Sequence, residues 1–217
     1  MANEPTVVLA PNAMTTLEDT MERLGVTPEE ATVAVKNNII RLINSASAWV
    51  ESITGRRFGK AAYTQRYAAP GHQELVLQQF PIRSVESVKD TDTGAVIAPD
   101  SYDFSSSGEV GVLYRDEGWA FRGYTSGLAG DYVASKRYLE VRYIAGYILP
   151  KDATPEEPSD LPADILAIVW SIAEQEFSII QNGAQGLAAF ALSDVSWTFD
   201  KEPRQSWLET LSRYTRW

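Results

Sequence analysis

The clearest pattern in the sequence is an apolar residue at every third or fourth position over residues 28–54, which predicts an α-helix. Thr27 precedes this stretch, Pro28 occupies its first position, and Glu30 stands three residues after the threonine, as in a capping box. Gly55 follows the last periodic residue and is suited to end a helix. The pattern therefore predicts a helix about 40 Å long at a rise of about 1.5 Å per residue.

The same period predicts three further helices. The first covers residues 16–24 after a cap at Thr15, and the second covers residues 162–182 with a proline at its first position. The second is apolar over much of its circumference, which indicates burial on more than one side. The third covers residues 203–216, where two arginines near the end favour the C-terminal pole of the helix dipole.

Between residues 63 and 147 the period changes to two, and Val, Ile, Tyr and Phe dominate short runs that predict five or six strands. The links between the runs are short, which favours antiparallel pairing. Residues 115–137 interrupt this pattern with glycines and no sustained period, which predicts a long loop insertion. The fold class is therefore α+β: a helical bundle of two long helices plus short helices, with a small, mostly antiparallel β region.

This pattern divides the chain into three parts. Residues 1–14 form an N-terminal arm. Residues 15–183 form a core that contains the β region and the helices at residues 16–24, 28–54 and 162–182. Residues 184–217 form a C-terminal arm that ends in the terminal helix, and its first half, residues 184–200, is small and apolar without a clear period.

Composition narrows the functional classes. The 217 residues are 44% hydrophobic and 22% charged, which is typical of a globular chain with a sizeable core. Twenty-nine acidic side chains against 19 Lys and Arg give a net charge of −10, which disfavours a protein that binds DNA over a large cationic surface. The absence of cysteine excludes disulfides, thiolate metal sites and a cysteine nucleophile.

Targeting signals are not expected. The N-terminal segment lacks a cationic region, and its apolar run is too short for a signal peptide. The longest apolar run lies near residues 165–173, well below the roughly 20 residues needed to span a bilayer. We therefore expect a soluble protein, made in the cytoplasm, that has no membrane partner.

Candidate catalytic residues are sparse. His72 is the only histidine and lies in a turn-like segment, where a solvated loop histidine is the favoured interpretation. The carboxylate pairs Asp90/Asp92 and Asp116/Glu117 could serve acid–base catalysis or bind Ca²⁺, but solvated turn residues are again favoured. We expect no enzyme activity, no catalytic residue, no metal site and no cofactor.

Two arginines, Arg56 and Arg57, directly follow the long helix. They could cap the carbonyl end of that helix, which is the commonest role of cations there. They could instead pair with acidic residues of a neighbouring subunit or, with the lowest weight because of the net charge, contact phosphate.

Three of the six tryptophans, Trp197, Trp207 and Trp217, lie in the last 21 residues. They could pack on the core of their own chain. Alternatively, they could belong to an arm that docks into another protein, because Trp, Tyr and Arg are enriched at such anchors.

The order of several segments resembles the head–tail connector (adaptor) proteins of tailed bacteriophages. These segments are "TLEDTMERLGV", "LINSASAWVESITGRRF", "LVLQQFPIRSVESV", "LEVRYIAGY" and "LPADILAIV", and the resemblance extends from Thr15 to Asn182. It implies a structural protein of the virion neck that joins the capsid to the tail. The implied partners are the portal protein, other copies in a ring of about twelve, and the next neck or tail component. DNA would pass through the channel without sequence-specific binding.

The resemblance also implies two sets of contact residues. The portal-docking set is Arg204, Trp207, Leu211, Arg213, Tyr214, Arg216 and Trp217. The set for ring or neighbour contacts is Arg56, Arg57, Trp119, Phe121 and Tyr124. If the acidic surplus faces the channel, passing DNA would be repelled rather than bound.

Three alternatives remain open at the level of sequence. A tail-completion or stopper protein of the same neck would use the insertion at residues 115–137 as a plug or tail contact. A glycan- or surface-binding module would use exposed aromatic side chains such as Trp119. A hydrolase would depend on His72 or on a carboxylate pair.

Overall fold

The computed structural model describes residues 4–105, 110–121, 137–181, 189–192, 195–198 and 204–215, with the backbone alone between 189 and 198. Its contacts divide the chain into two compact units. The helical unit comprises Met1–Phe58 and Ile148–Thr215, and the β unit comprises Gly59–Tyr147. Within the described residues, the model has four α-helices and antiparallel sheets, which confirms the α+β class.

The helical unit contains two helices of 22 and 19 residues, two short helices and a hairpin. The elements are α1 (Leu17–Arg23), α2 (Val33–Thr54), α3 (Ala163–Gln181), α4 (Gln205–Ser212), β8 (Ala189–Leu192) and β9 (Val195–Thr198). Helix α2 packs against α1, α3 and α4. Among the described helices, none is both long enough and apolar enough to cross a membrane.

Helix α2 begins at Val33, five residues later than predicted. Only one half of the capping box forms: the Thr27 amide donates to Glu30 Oε2 at 3.3 Å, whereas the Glu30 and Ala31 amides donate to the Thr27 carbonyl. It initiates only one turn, however, since Thr32 has extended geometry and its hydroxyl accepts from the Val35 amide. A second cap five residues downstream therefore replaces the predicted start.

Helix α1 is capped by Thr16 and not by Thr15. The Thr16 hydroxyl accepts from the Asp19 amide at 3.0 Å. Thr15 is instead buried, and its hydroxyl accepts from the indole N–H of Trp170 on α3 at 3.0 Å. Adjacent threonines compete for the cap, and tertiary packing selects the second one.

The predicted end of α2 is confirmed. Gly55 has the left-handed geometry that suits a helix C-terminus, with φ 67° and ψ 17°, and its amide donates to the Glu51 carbonyl. Helix α4 is shorter than the predicted 203–216, because the Arg213 and Tyr214 amides bond three residues back in a terminal turn. Residues 203 and 216 lie outside the described residues.

Within its described residues, the β unit holds seven strands, where five or six were predicted, in two antiparallel sheets; the predicted antiparallel pairing is confirmed. The strands are β1 (Ala61–Tyr67), β2 (Glu74–Val76), β3 (Ile82–Asp90), β4 (Val96–Ile97), β5 (Asp103–Phe104), β6 (Val112–Tyr114) and β7 (Leu139–Ala145). The strand orders are β1-β7-β3-β4 and β2-β6-β5. Of the predicted insertion at 115–137, residues 122–136 lie outside the described residues.

A polar cluster lies inside the β unit between β1 and β7. The hydroxyls of Tyr67 and Tyr143 both donate to Gln65 Oε1, at 2.5 and 2.6 Å. Each hydroxyl also accepts a backbone amide, from Gln78 and Gln79 respectively. Burial and the neighbouring Tyr67 hydroxyl raise the pKa of Tyr143 well above its usual value of about 10.

Candidate assembly interface

Helix α4 turns its apolar face towards α2 and α3 of its own unit. Leu211 is completely buried. The indole of Trp207 meets the Trp49 ring of α2 edge to face, with ring centroids 6.4 Å apart. Packing of the terminal aromatic segment on its own core, one of the two alternatives from the sequence, therefore holds for Trp207.

A second anchor fixes the chain after α4. The Tyr214 hydroxyl lies 2.9 and 3.0 Å from the two carboxylate oxygens of Asp164, in the first turn of α3. The Tyr214 ring packs against Phe58, with centroids 6.2 Å apart. Three predicted portal-docking residues, Trp207, Leu211 and Tyr214, are thus engaged within the chain.

Phe58 also packs against the first of the two arginines that follow α2. The Arg56 guanidinium lies over the Phe58 ring at 4.7 Å from its centroid, a cation–π geometry. The Phe58 amide donates to Glu51 Oε1 at 3.1 Å, so the last turn of α2 fixes the following residues. Arg56 is only 2% exposed, whereas Arg57 is exposed to solvent.

The two ends of α4 carry the remaining described members of the portal-docking set, Arg204 as its N-cap and Arg213 as its C-cap. Arg204 is exposed and its guanidinium lies 5.4 Å from the Trp207 ring centroid. Arg213 is also exposed. Arg216 and Trp217 lie outside the described residues. The described members therefore divide into an inward apolar face and an outward basic rim.

Trp119 lies in the interior of the β unit. It is 1% exposed, and its indole N–H points at the carbonyls of Gln73 and Leu113 at 2.9 and 3.3 Å. The ring is therefore not available at the surface for stacking on a sugar or a neighbouring subunit. Among the described residues 115–121, Phe121 is the exposed aromatic residue, at 43% exposure. Tyr124 lies outside the described residues.

Two of the residues considered for catalysis, Asp90 and His72, accept backbone amides in turns. The Asp90 carboxylate accepts the backbone amides of Asp92 and Thr93 at 2.9 and 3.1 Å, which closes the turn after β3. His72 is exposed, and its Nδ1 accepts the Glu74 amide at 3.3 Å. Among the described residues, no group of three or more His, Cys, Asp or Glu is arranged to hold a metal ion.

An exposed acidic connector precedes α3. Residues 150–160 carry Asp152, Glu156, Glu157 and Asp160, all exposed, and one lysine, Lys151, which pairs with its neighbour Asp152 at 2.7 Å. The connector is fixed to its own unit, since Asp160 accepts the Ile148 amide and Ser159 donates to the Ile148 carbonyl. It offers an ordered negative surface.

Sequence reasoning missed the attachment of the N-terminal arm. Residues 6–14 run along α2, where polar side chains bond to the backbone of the arm. Asn37 Oδ1 accepts the amides of both Thr6 and Val7 at 2.9 Å. The Ser47 hydroxyl accepts the Met14 amide at 3.0 Å. In the sequence these polar helix positions resemble a face exposed to solvent. The only signal of the contact was that their spacing places them on the same side of α2.

Asn44 makes the most specific contact with the arm. Its Oδ1 accepts the Ala10 amide at 2.8 Å, and its Nδ2 donates to the Val8 carbonyl at 3.1 Å. One side-chain amide thus satisfies a carbonyl and the amide two residues later, as a residue of a neighbouring parallel strand would.

The model of the head completion protein family matches residues 13–162, more than half of the chain. The chain belongs to this family. No significant match exists among curated protein sequences.

Solved structures share the fold over almost the whole chain. A chain in the neck of an empty GTA particle, computed with C6 symmetry, has a TM-score of 0.55 and 12% identity, covering 97% of this chain and 94% of that chain. A chain in the virion of a native gene transfer agent (GTA) particle has a TM-score of 0.53, 12% identity and coverage of 99% and 95%. A chain in the neck of a native GTA particle, computed with C12 symmetry, has a TM-score of 0.54, 11% identity and coverage of 100% and 96%.

Family and fold together confirm the resemblance to head–tail neck proteins that the sequence indicated. Two of these chains come from the neck of a GTA particle, and one comes from a GTA virion.

Proposed function

We propose that this protein is a head–tail adaptor of the virion neck. It binds the portal protein, closes with other copies into a ring of about twelve subunits, and offers a platform for the next neck or tail component. The observation that carries this proposal is the match of residues 13–162 to the head completion protein family, in a chain with the fold of GTA neck chains. The work is structural, and the protein catalyses no reaction.

In this proposal α2 and α3 form the two-helix frame of each subunit. Arg57, which is exposed at the end of α2, and Phe121, which is exposed on the β unit, contact neighbours. The acidic connector at residues 150–160 supplies carboxylates of opposite charge for an arginine of the next copy. Arg56 and Trp119 support these contacts from inside their units, and Tyr124 remains a proposed neighbour contact.

Portal docking uses the C-terminal segment. Arg204 and Arg213 are exposed and form the first contact with acidic groups of the portal. Trp207, Leu211 and Tyr214 reach the portal when α4 leaves its own unit, with Arg216 and Trp217 completing the anchor. Because an eight-residue helix has little stability alone, α4 gains order either on its own core or on the partner.

The negative charge serves the passage of DNA. A ring whose copies each carry a net charge of −10 has a strongly negative lumen if surfaces such as the acidic connector line it. Such a lumen repels phosphate, so DNA passes without being retained.

The test is native mass spectrometry of the protein with the portal protein from the same genome. We expect a complex whose mass corresponds to a ring on the portal. Deletion of residues 204–217 should abolish the complex, and the double variant Arg204→Ala/Arg213→Ala should weaken it. A matched double variant, Lys36→Ala/Arg41→Ala on α2, removes the same charge away from α4 and should bind like the wild type.

The outcome also separates an adaptor from a stopper. Binding to a tail component through the surface around Phe121, with no complex with the portal, would identify a tail-completion or stopper protein. A monomer that binds neither partner would overturn both assignments.

A further inference from the structure

We propose that the face of α2 beneath the N-terminal arm is a binding site for extended peptide segments, and that in assemblies it takes the arm of a second copy of this chain. For this proposal the arm is defined as residues 4–12, and its site as the side of α2 that carries Asn37, Asn44 and Glu51. Nothing in this proposal depends on the portal or on the adaptor function.

The first argument is that the site recognises backbone. Asn37 accepts two consecutive amides, and Asn44 bonds a carbonyl and an amide of the arm. The side-chain contacts of the arm are fewer: Thr6 accepts from Asn37 Nδ2, and the Asn12 amide donates to Glu51 Oε2 at 2.9 Å. A site that binds peptide groups at fixed spacing constrains the backbone of its occupant and few of the occupant's side chains.

The second argument is that the apolar content of the arm is modest. Val7 and Leu9 pack partly buried on the cluster around Ile39, Ile40 and Phe177. Val8, between them, is 78% exposed. The alternation is that of a strand with one face on the protein, so the occupant is specified by two aliphatic side chains two positions apart. Such a small apolar contact allows the arm to detach without unfolding the core.

The third argument concerns the hinge. The arm ends in a turn at Pro11 and Asn12, closed by the Ala13 amide bonding to the Ala10 carbonyl. Directly after the turn, Ala13, Met14 and Thr15 are completely buried and fix the chain to its unit. A change of backbone angles at this turn would redirect the arm while leaving every later contact in place.

A second copy is the occupant that fits best because its arm makes the same contacts. The hydrogen bonds and the Val7 and Leu9 contacts are identical whether the arm comes from the same chain or from another. Exchange of arms between two copies therefore costs only the free energy of the hinge change and the loss of association entropy. Close packing of the copies reduces this entropy loss.

The experiment uses two complementary chains. The acceptor lacks residues 1–12 and keeps the site, and the donor keeps the arm but carries Asn37→Ala and Asn44→Ala. We expect each to be monomeric alone and the equimolar mixture to form a heterodimer in native mass spectrometry. A mixture that contains only monomers, while circular dichroism shows both chains folded, would overturn the proposal.

A second measurement covers the case in which the shortened acceptor does not fold. Residues 6–10 are then replaced by Gly and Ser at constant length, and a fluorescent peptide of residues 4–12 is titrated into this acceptor. Val8→Ser in the peptide should leave the affinity within about twofold, since Val8 is exposed. Asn44→Leu in the acceptor should weaken binding by about tenfold or more, because two backbone groups lose their partner. Equal affinities for both acceptors would contradict a site built on Asn44.

Discussion

Helix α4 should behave as a separately opening element, and replacing Leu211 by alanine tests this. Leu211 is completely buried where α4 contacts α2 and α3. In a closed core, Leu→Ala costs about 3–5 kcal/mol through lost transfer free energy and the cavity left behind. Because α4 has only eight residues, its order depends on docking, and the cost should fall on the docking equilibrium.

The expected magnitude follows from that cost. At about 1.4 kcal/mol per decade, a loss of about 3–5 kcal/mol raises the opening equilibrium of α4 by roughly two to nearly four orders of magnitude. If docking is worth less than this, α4 simply remains undocked. Hydrogen exchange measured by mass spectrometry should then show protection lost across residues 204–215, with the peptides of α2 and α3 almost unchanged.

The matched control is Ser212→Ala, because Ser212 is exposed on the same helix. It should leave exchange in α4 within a few-fold of the wild type. Equal loss of protection throughout the helical unit would refute a separately opening α4. Unchanged exchange in the Leu211→Ala variant would show that the buried contact does not hold the helix.

Three further predictions concern stability. Gln65→Leu should lower the free energy of unfolding by about 1–3 kcal/mol. The two tyrosine hydroxyls lose their shared acceptor, and a hydrogen bond between them can provide an acceptor for only one of the two. Chemical denaturation should show this loss relative to Thr64→Leu, which lies at an exposed position of the same strand. Since the pKa of Tyr143 is raised in the folded state, its contribution to the free energy of unfolding is complete below pH 10 and is lost above it, by about 1.4 kcal/mol per pH unit. Denaturation at pH 9 and 11 should therefore show a smaller loss of stability between the two pH values in Tyr143→Phe than in the wild type. Gly55→Ala should cost about 1–2 kcal/mol because φ is 67° there, and a thermal melt that matches the wild type would contradict it.

Local signals in the sequence predicted the elements that local chemistry determines. Gly55 ends α2 as expected. Helix α3 begins at Ala163, one residue after the predicted Pro162, whose carbonyl accepts the Ile165 and Leu166 amides. The β region is antiparallel, as its short links indicated. The start of α2 was wrong because two threonines five residues apart both offer a cap, and the sequence does not rank them.

The direction of side chains at the candidate interface was less accessible. Periodicity placed Trp207, Leu211 and Tyr214 on one face of a helix, but a face that docks on its own unit and a face that docks on a partner have the same sequence pattern. Trp119 looked like an exposed loop residue because the acceptors of its indole N–H are backbone carbonyls, which leave no trace in the side-chain sequence.

Binding of the arm to α2 depends on the spacing of its backbone groups and only weakly on its side chains. Seven helical residues from Asn37 to Asn44 rise about 10 Å, and three residues of extended chain cover about the same distance. Homologous arms could therefore diverge in nearly every side chain and still bind, whereas insertion of one residue would exchange their inner and outer faces. The family match begins at residue 13, directly after the arm. Spacing between hydrogen-bonding positions, rather than residue identity, is thus the quantity by which equivalent arms in distant relatives should be sought.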